Sequence, residues 1–422
     1  MLDLLRQDVR YAARALRRSP LFALISVLSI AIGVGATTSI VTLANALLLR
    51  PAPGVGHPER LVTIGRTQDG RGFDNFSYPT FLDYRSAKSL SGIAAIREPR
   101  PVSLVGPTGA EPIHMSAVSG NLFEVLEARP AIGRFFSGDD DLAAGASPVV
   151  VLSYGFWKRR FNGDASIIGR PILLDGSPFT VVGVAAERFQ GPFVLAPDGW
   201  VPLTASTLLG LPARIFSQRE AVFIIGIGRL APNAGRSQAQ AELSTIAARL
   251  AQQYPTMNAQ HGVAVTPASL FPGDLRLVIG GFMAMLLVVT GLVLVIASMN
   301  VAGMVLARAI GRRREIAVRL ALGASRSQLV KQLVVESLLV FAAAGVTGIA
   351  LARWLVAALL SLVPTLPVPL AVDARLDWRV LGVSLAISLV TGLLTGIVPA
   401  LQSTRPELVP ALKSDTAGTG TR

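Results

Sequence analysis

Two stretches of this chain, 21–49 and 277–307, contain no charged residue. A hydrocarbon core ~30 Å thick needs roughly 20 apolar residues to cross it. Inside lipid every backbone N–H and C=O must find its partner within the segment, which leaves the α-helix as the form such a run takes. Two further apolar runs, 333–363 and 380–403, follow; the third is interrupted only by Glu336 and Arg353. The sequence therefore predicts an α-helical membrane protein with four transmembrane helices, plus an α/β extracytoplasmic domain inserted between helices 1 and 2. At ~1.5 Å per residue the second run is roughly 45 Å long, more than the core requires. The first is over-long in the same way, so both are expected to project as stalks. Ala44-Asn45-Ala46 resembles a signal-peptidase site, but the run before it far exceeds the ~7–15 apolar residues of a secretory leader, so it is read as a retained helix.

The net charge of +13 is distributed along the chain in a way that sets sidedness. Arg6, Arg10, Arg14, Arg17 and Arg18 precede the first run. Arg308, Arg312, Arg313, Arg314, Arg319 and Arg326 lie in or beside the connector between the second and third runs. The short loop 364–378 carries Arg375 against Asp373 and Asp377. Lys and Arg resist translocation, so the N-terminus, the connector 308–328 and the tail 404–422 are assigned to the cytoplasm. Residues 1–19 then form an interfacial helix, with Leu2, Leu5, Val9, Ala13 and Leu16 on one face and arginines on another. Basic residues that flank apolar runs attract anionic lipid rather than nucleic acid, and no nucleic-acid partner is expected.

The block 51–275 is different in kind: charges, prolines and glycines return, and no window spans. Strands are predicted at 60–65, 101–105, 222–230 and 263–266, with a helix near 78–95 and an amphipathic helix over 236–253 that aligns Leu243, Ile246, Ala247 and Leu250. These make two β-α-β frames, one near each end. Asp175-Gly176 between two apolar triplets signals a hairpin. The middle, about 120–215, reads as an inserted α/β subdomain.

Within the apolar runs, Ala31, Gly35 and Ser39 recur every four residues, as do Gly392, Gly396 and Ala400. Such stripes let another helix approach closely. Glu336 and Arg353 lie near opposite ends of the third run, where long side chains can reach the interface. For Arg353 the structural reading is preferred; for Glu336 a functional role stays open. The connector has a narrow apolar stripe around Ile316 and Leu320, a Glu315–Arg319 pair in the favourable order, a helix-ending Gly323 and a Ser325–Gln328 capping pattern. It is a short amphipathic helix at the inner face, serving either as a docking helix for a cytoplasmic partner or as a connector that touches only headgroups.

Enzymatic chemistry finds little support. The chain has no cysteine, which removes thiol catalysis and thiolate metal sites. Its lysines, Lys88, Lys158, Lys331 and Lys413, follow Ala, Trp, Val and Leu, so none completes a phosphate-binding Gly-Lys-Ser/Thr loop. His57, His114 and His261 are scattered. Ser153 lacks the first glycine of a nucleophile elbow. Asp139-Asp140-Asp141 reads as a solvated loop. No catalytic residue, metal site or bound cofactor is expected.

Several segments resemble a known family. MNVAGMVLARAIGRRREIAVRLALGASRSQLVKQLVVESLLV, at 299–340, is similar to the core of MacB/FtsX-type ABC transporter permeases. TGLLTGIVPALQSTRPELVPALK, at 391–413, resembles their last helix and tail, and 10–51 resembles the acidobacterial-type orphan permeases of that superfamily. The resemblance implies a mechanotransmitting permease in the inner (cytoplasmic) membrane with a MacB-like periplasmic core domain. A partner ABC ATPase docks on the connector, so ATP acts through that subunit. Arg313, Arg314, Glu315, Arg319, Gly323 and Ala324 match the coupling-helix region, and the first two spans would form a homodimer stalk. The family's namesake carries its ATPase fused; this chain reads as a single permease half. The expected role is export or efflux, with a periplasmic adaptor and outer-membrane channel as further partners. The alternative is an FtsX-like regulator that signals to a cell-envelope enzyme.

Overall fold

An uncharged run that opens on Pro20 has its own backbone as the only partner for its amides, and it forms α1, Pro20–Ala44, followed by one wider turn at Asn45–Leu49. The computed structural model describes residues 10, 14, 16–50, 52–106, 109–137, 148–271, 273–311, 318, 326–362 and 378–403. The other principal helices are α2, Tyr78–Tyr84; α3, Tyr154–Phe161; α4, Arg236–Gln253; α5, Asp274–Gly311; α6, Arg326–Leu362; and α7, Trp378–Ser403. The described residues fall into two compact units. One holds α1, α5 from Phe282, α6 and α7; the other holds Asn45–Gly281.

In the helical unit, Pro20–Leu48, Leu275–Arg308 and Val330–Leu359 are long and apolar enough to cross a membrane, at 29, 34 and 30 residues. The described apolar part of α7, Val380–Leu394, is shorter, so three helices rather than the expected four reach spanning length among the described residues. Four hydroxyls in these helices are absorbed locally, whereas those of Ser26 and Thr38 are buried without a hydrogen bond. Thr37, Ser39 and Thr42 donate to the carbonyls of Gly33, Gly35 and Thr38 at 2.9, 2.7 and 2.7 Å, and Ser298 to Leu294 at 2.7 Å. Back-bonding of this kind satisfies a polar group where no water reaches.

The other unit is built on a thirteen-stranded mixed sheet. Its strands are β1, Leu61–Gln68; β2, Arg71–Asp74; β3, Phe76–Ser77; β4, Leu90–Ile96; β5, Arg100–Gly106; β6, Gly109–Val118; β7, Pro130–Gly133; β8, Val149–Leu152; β9, Pro171–Leu174; β10, Ser177–Ala185; β11, Gly199–Pro202; β12, Val222–Leu230; and β13, His261–Pro267. Two parts can be distinguished by pairing. The strands β4-β12-β1-β13 run antiparallel as an open sheet. The strands β11-β8-β10-β9-β5-β6 close into a ring through the parallel β6–β11 pair, Met115↔Gly199 to Val118↔Pro202. The parts join where β4 meets β6 at Ile96↔Val118.

One expectation is corrected here, and the strand order adds what the sequence did not give. The helix near 78–95 ends at Tyr84, and Leu90–Ile96 is a strand. Its residues 93–96 are buried because β4 lies inside the sheet, and a short apolar run carries no periodicity that separates helix from buried strand. The two end frames share one sheet: β1, from the first, lies between β12 and β13, from the second. The middle strands continue the same sheet through β5–β9 and β6–β11. The 175–176 hairpin joins β9 and β10 as expected, in register Leu174↔Ser177.

Helix α4 buries Ala239, Leu243, Ile246, Ala247 and Leu250, each large side chain contributing about 1.5–3 kcal/mol by leaving water. It also supplies the edge of the sheet with partners. Gln240 accepts from the Val265 amide at 2.7 Å and donates to the Val263 carbonyl at 2.9 Å, covering β13. Glu242 accepts the amides of Lys88 and Ser89, both at 2.8 Å, ahead of β4.

Candidate functional site

The residues of the predicted coupling connector, Arg313, Arg314, Glu315, Arg319, Gly323 and Ala324, lie outside the described residues. The helix ends that flank them are described, and they converge on one cation. Arg308 stands in the last turn of α5, where a positive charge faces the partial negative charge of the helix C-terminus. Its guanidinium pairs with Glu336 of α6 at 3.3 Å, donates to the hydroxyl of Ser19 just before α1, and sits over the Phe22 ring of α1 at 4.2 Å. A planar guanidinium with several donors can bind a carboxylate, a hydroxyl and an aromatic face together, which an ammonium does less well.

Both ionic side chains are largely withdrawn from solvent, at 24% exposed for Arg308 and 13% for Glu336. Their pairing offsets part of what withdrawal from water costs each charge. Glu336, whose role the sequence left open, is placed by this contact: it holds the start of α6 to the end of α5. A displacement of α5 relative to α1 or α6 acts directly on these Arg308 contacts. Arg353 is exposed and Asn300 is exposed.

The small-residue stripe of α1 packs inside the chain. An ideal Cβ on Gly35 would come 3.0 Å from the Gly348 carbonyl of α6, and one on Gly348 would come 3.0 Å from both the Ala31 carbonyl and Val34 Cβ. Ser39 adds a long hydrogen bond to the Ala352 carbonyl, 3.4 Å. So Ala31, Gly35 and Ser39 meet α6, and Gly348 is the partner that sequence reading passed over; its signal was the small-residue spacing Ala344–Gly348–Ala352 in the third run. Gly392 of α7 lies against the Phe341 ring of α6, where a Cβ would fall 2.6 Å from Cγ, and Ser388 donates to the Phe341 carbonyl at 2.9 Å. Gly396 is one turn further along α7, and its surroundings fall outside the described residues.

A second charged node anchors the segment that follows α1. Arg229 of β12 is 5% exposed and donates to the carbonyls of Val125, Gly56 and His57 at 2.7, 2.7 and 3.3 Å, while pairing with Glu127 at 3.3 Å. Glu127 also meets His57 at 2.7 Å. The hydrogen bond from His57, with the nearby Arg229 charge, holds the Glu127 carboxyl below its usual range. Neither Arg229 nor Glu127 carried a sequence signal, since both depend on contacts between residues about a hundred positions apart.

Comparison with known proteins returns one picture. Residues 23–246 match the family described as MacB-like periplasmic core domain, and 287–408 match the FtsX-like permease C-terminal family. The chain is similar to the pyoverdine export ATP-binding/permease protein PvdT of Pseudomonas syringae pv. tomato, 29% identical over 287 residues, 65% of this chain and 41% of that protein. It is similar also to the macrolide export ATP-binding/permease protein MacB of Burkholderia cenocepacia, 27% identical over 240 residues, 56% of this chain and 33% of that protein. The chain thus spans less than half the length of these curated relatives. Among solved structures, the periplasmic region of MacB from Actinobacillus actinomycetemcomitans aligns with a TM-score of 0.37 at 14% identity, covering 50% of this chain and 90% of that one.

Proposed function

This chain belongs to the MacB/FtsX family of ABC transporter permeases, and from that premise we propose that it is a permease subunit that couples ATP hydrolysis by a partner ATPase to movement of its periplasmic core domain, for export or efflux. It acts in the inner (cytoplasmic) membrane as a homodimer, with α7 as a fourth span and the connector 308–328 as the docking element. A periplasmic adaptor and an outer-membrane channel complete the path. ATP is bound by the partner, not by a site in these residues.

The observation that supports this reading is the convergence of α1, α5 and α6 on Arg308, next to the basic connector. A load applied to the connector at either side reaches a point where three apolar helices share one cation. Apolar helices in lipid have little hydrophobic reason to hold together, so polar contacts and close packing carry the coupling. The movement then has two covalent routes onward, along α1 and along α5, each of which continues into the segment Asn45–Gly281.

The test is co-purification of the chain with an ABC ATPase from its own cell, with Glu315→Arg and Arg319→Glu as variants. Loss of the complex in both, with the chain still folded and inserted, is expected. An undiminished complex in both would sink the docking assignment.

A further inference from the structure

The unit Asn45–Gly281 contains an apolar cavity of about 240 Å³. It opens where two segments meet: 191–197, between β10 and β11, and 270–275, which leads from β13 into α5. A backbone hydrogen bond from the Val194 amide to the Leu270 carbonyl, 3.0 Å, clips them together. Ile96, Phe193, Leu195, Ile225 and Phe271 supply much of the wall, together with the indole of Trp200.

Trp200 is 1% exposed and wedged in an aromatic cluster, 5.3 Å from Phe189 and 5.7 Å from Phe123 between ring centroids. A buried indole N–H normally finds an acceptor. Trp157, the other buried tryptophan of this unit, does so, donating to the Asp164 carbonyl at 2.9 Å. Trp200 has no such acceptor among the described residues, yet its nitrogen is not sealed into the core. The ring edge that carries Nε1 faces Gly191, which also lines the cavity: an ideal Cβ at Gly191 would lie 3.7 Å from Cζ2 and 4.0 Å from Nε1. Gly191 has φ +93°, a conformation that other residues adopt at a cost, so this approach to the indole edge is kept clear by the backbone itself.

We propose that this cavity binds a compact apolar molecule carrying one hydrogen-bond acceptor, a carbonyl or ether oxygen, which takes the Trp200 N–H. Size fixes the scale. An engineered apolar cavity of about 150 Å³ binds benzene, so 240 Å³ suits a body of about two fused rings. Among the described residues of the lining, Glu98 is the charged one and is exposed, so the occupant is neutral or cationic rather than anionic. A bound molecule fills the space between the 191–197 loop and the 270–275 segment, and thereby braces the lead into α5. The assignment concerns binding alone and stands or falls independently of ATP-driven transport.

The test uses the full chain in lipid nanodiscs without ATPase, and equilibrium dialysis against 2-acetylnaphthalene, with empty nanodiscs as the baseline. Saturable binding above that baseline is expected. Trp200→Phe should weaken it about fivefold, the worth of one neutral hydrogen bond, while leaving the acceptor-free 2-ethylnaphthalene unaffected. Val194→Trp should abolish both by filling the cavity, and circular dichroism checks that each variant is folded. Ligand should also slow amide hydrogen exchange across 191–197 in the unaltered chain, a readout that needs no variant. Binding equal to that of empty nanodiscs, or saturable binding that survives both substitutions without protecting 191–197, overturns the site. Equal affinity for the ketone and the hydrocarbon overturns the role of the indole N–H.

Discussion

Helices α1 and α5 are both long and apolar, and they solve burial in opposite ways. Helix α1 buries a face of small residues: Ser26, Ile30, Ala31, Gly33, Val34, Gly35, Thr38 and Ser39 are all enclosed. Among the described side chains of α5, Leu294, Ala297, Ser298 and Val301 are the buried ones, while Phe282, Met285, Val288, Val289, Leu292, Ile296 and Met299 stand exposed. The difference follows from side-chain size. Glycine and alanine gain little from lipid but let a neighbouring backbone come close, so α1 is held by packing. Branched and long side chains are as content in lipid tails as against protein, so α5 can stay bare without penalty. In the proposed homodimer, that bare face is what a second copy would meet.

The sharpest way to break this contrast is to put bulk into the seam. Gly348→Leu would drive a side chain into the Ala31 carbonyl and Val34, already 3.0 Å from an ideal Cβ, and is expected to cost roughly 3 kcal/mol. Val288→Leu on the bare face of α5 should cost under about 0.5 kcal/mol. Thermal melting of the two variants in detergent compares them directly; equal melting temperatures would erase the distinction between packed and bare helices.

Next in size is the Arg308 node, where α5 pairs with Glu336 of α6 and meets the start of α1 through Ser19 and Phe22. Arg308→Met or Glu336→Met alone takes the ion-pair partner away from a largely buried charge and should cost about 2 kcal/mol, somewhat less than for a fully enclosed pair. The double replacement should cost less than either single one. Strict additivity of the two losses in a double-mutant cycle would show that the ions do not sense each other.

A smaller effect on stability, but a larger one on assembly, is expected from Leu292→Asn with Met299→Asn. Each side chain makes few contacts within the chain, so melting should move little. The dimer fraction measured by crosslinking in nanodiscs should fall. Unchanged crosslinking would place the second copy elsewhere.

The smallest effect concerns how the continuation of α1 is tied down. Because the folded-state pKa of Glu127 is depressed, its contribution to stability is present above the ordinary carboxylate range and is lost as pH falls through the depressed value. Glu242, although burial pushes it up, is held below its usual range by the hydrogen bonds it accepts from Ser89 and Lys88, and it acts in the same direction. Stability should therefore fall as pH drops from about 5 towards 3, and Glu127→Gln should flatten part of that slope. Both residues are partly solvated, so the flattening is small, and an identical slope in the variant would remove Glu127 from the account.

Membrane class and the positions of the long helices were legible because charge and hydropathy act locally. A run without charge is apolar wherever the rest of the chain goes, and α4 could be read from Leu243, Ile246 and Leu250 because a helix face repeats within a few residues. Beyond the 175–176 hairpin, pairing was not legible. Residues 93–96 look alike as helix or strand until β12 arrives beside them, and the ring of six strands closes only because β11 reaches β6 from some eighty residues away. The stripe at Ala31, Gly35 and Ser39 announced a close neighbour without saying which; the matching groove at Gly348 made it α6. Likewise Glu336 and Arg308 each declared an expensive charge near the end of an apolar run, and only folding decided that one compensates the other. Short-range chemistry determined what each segment could be, and long-range contacts, which carry no local periodicity, decided what each segment meets.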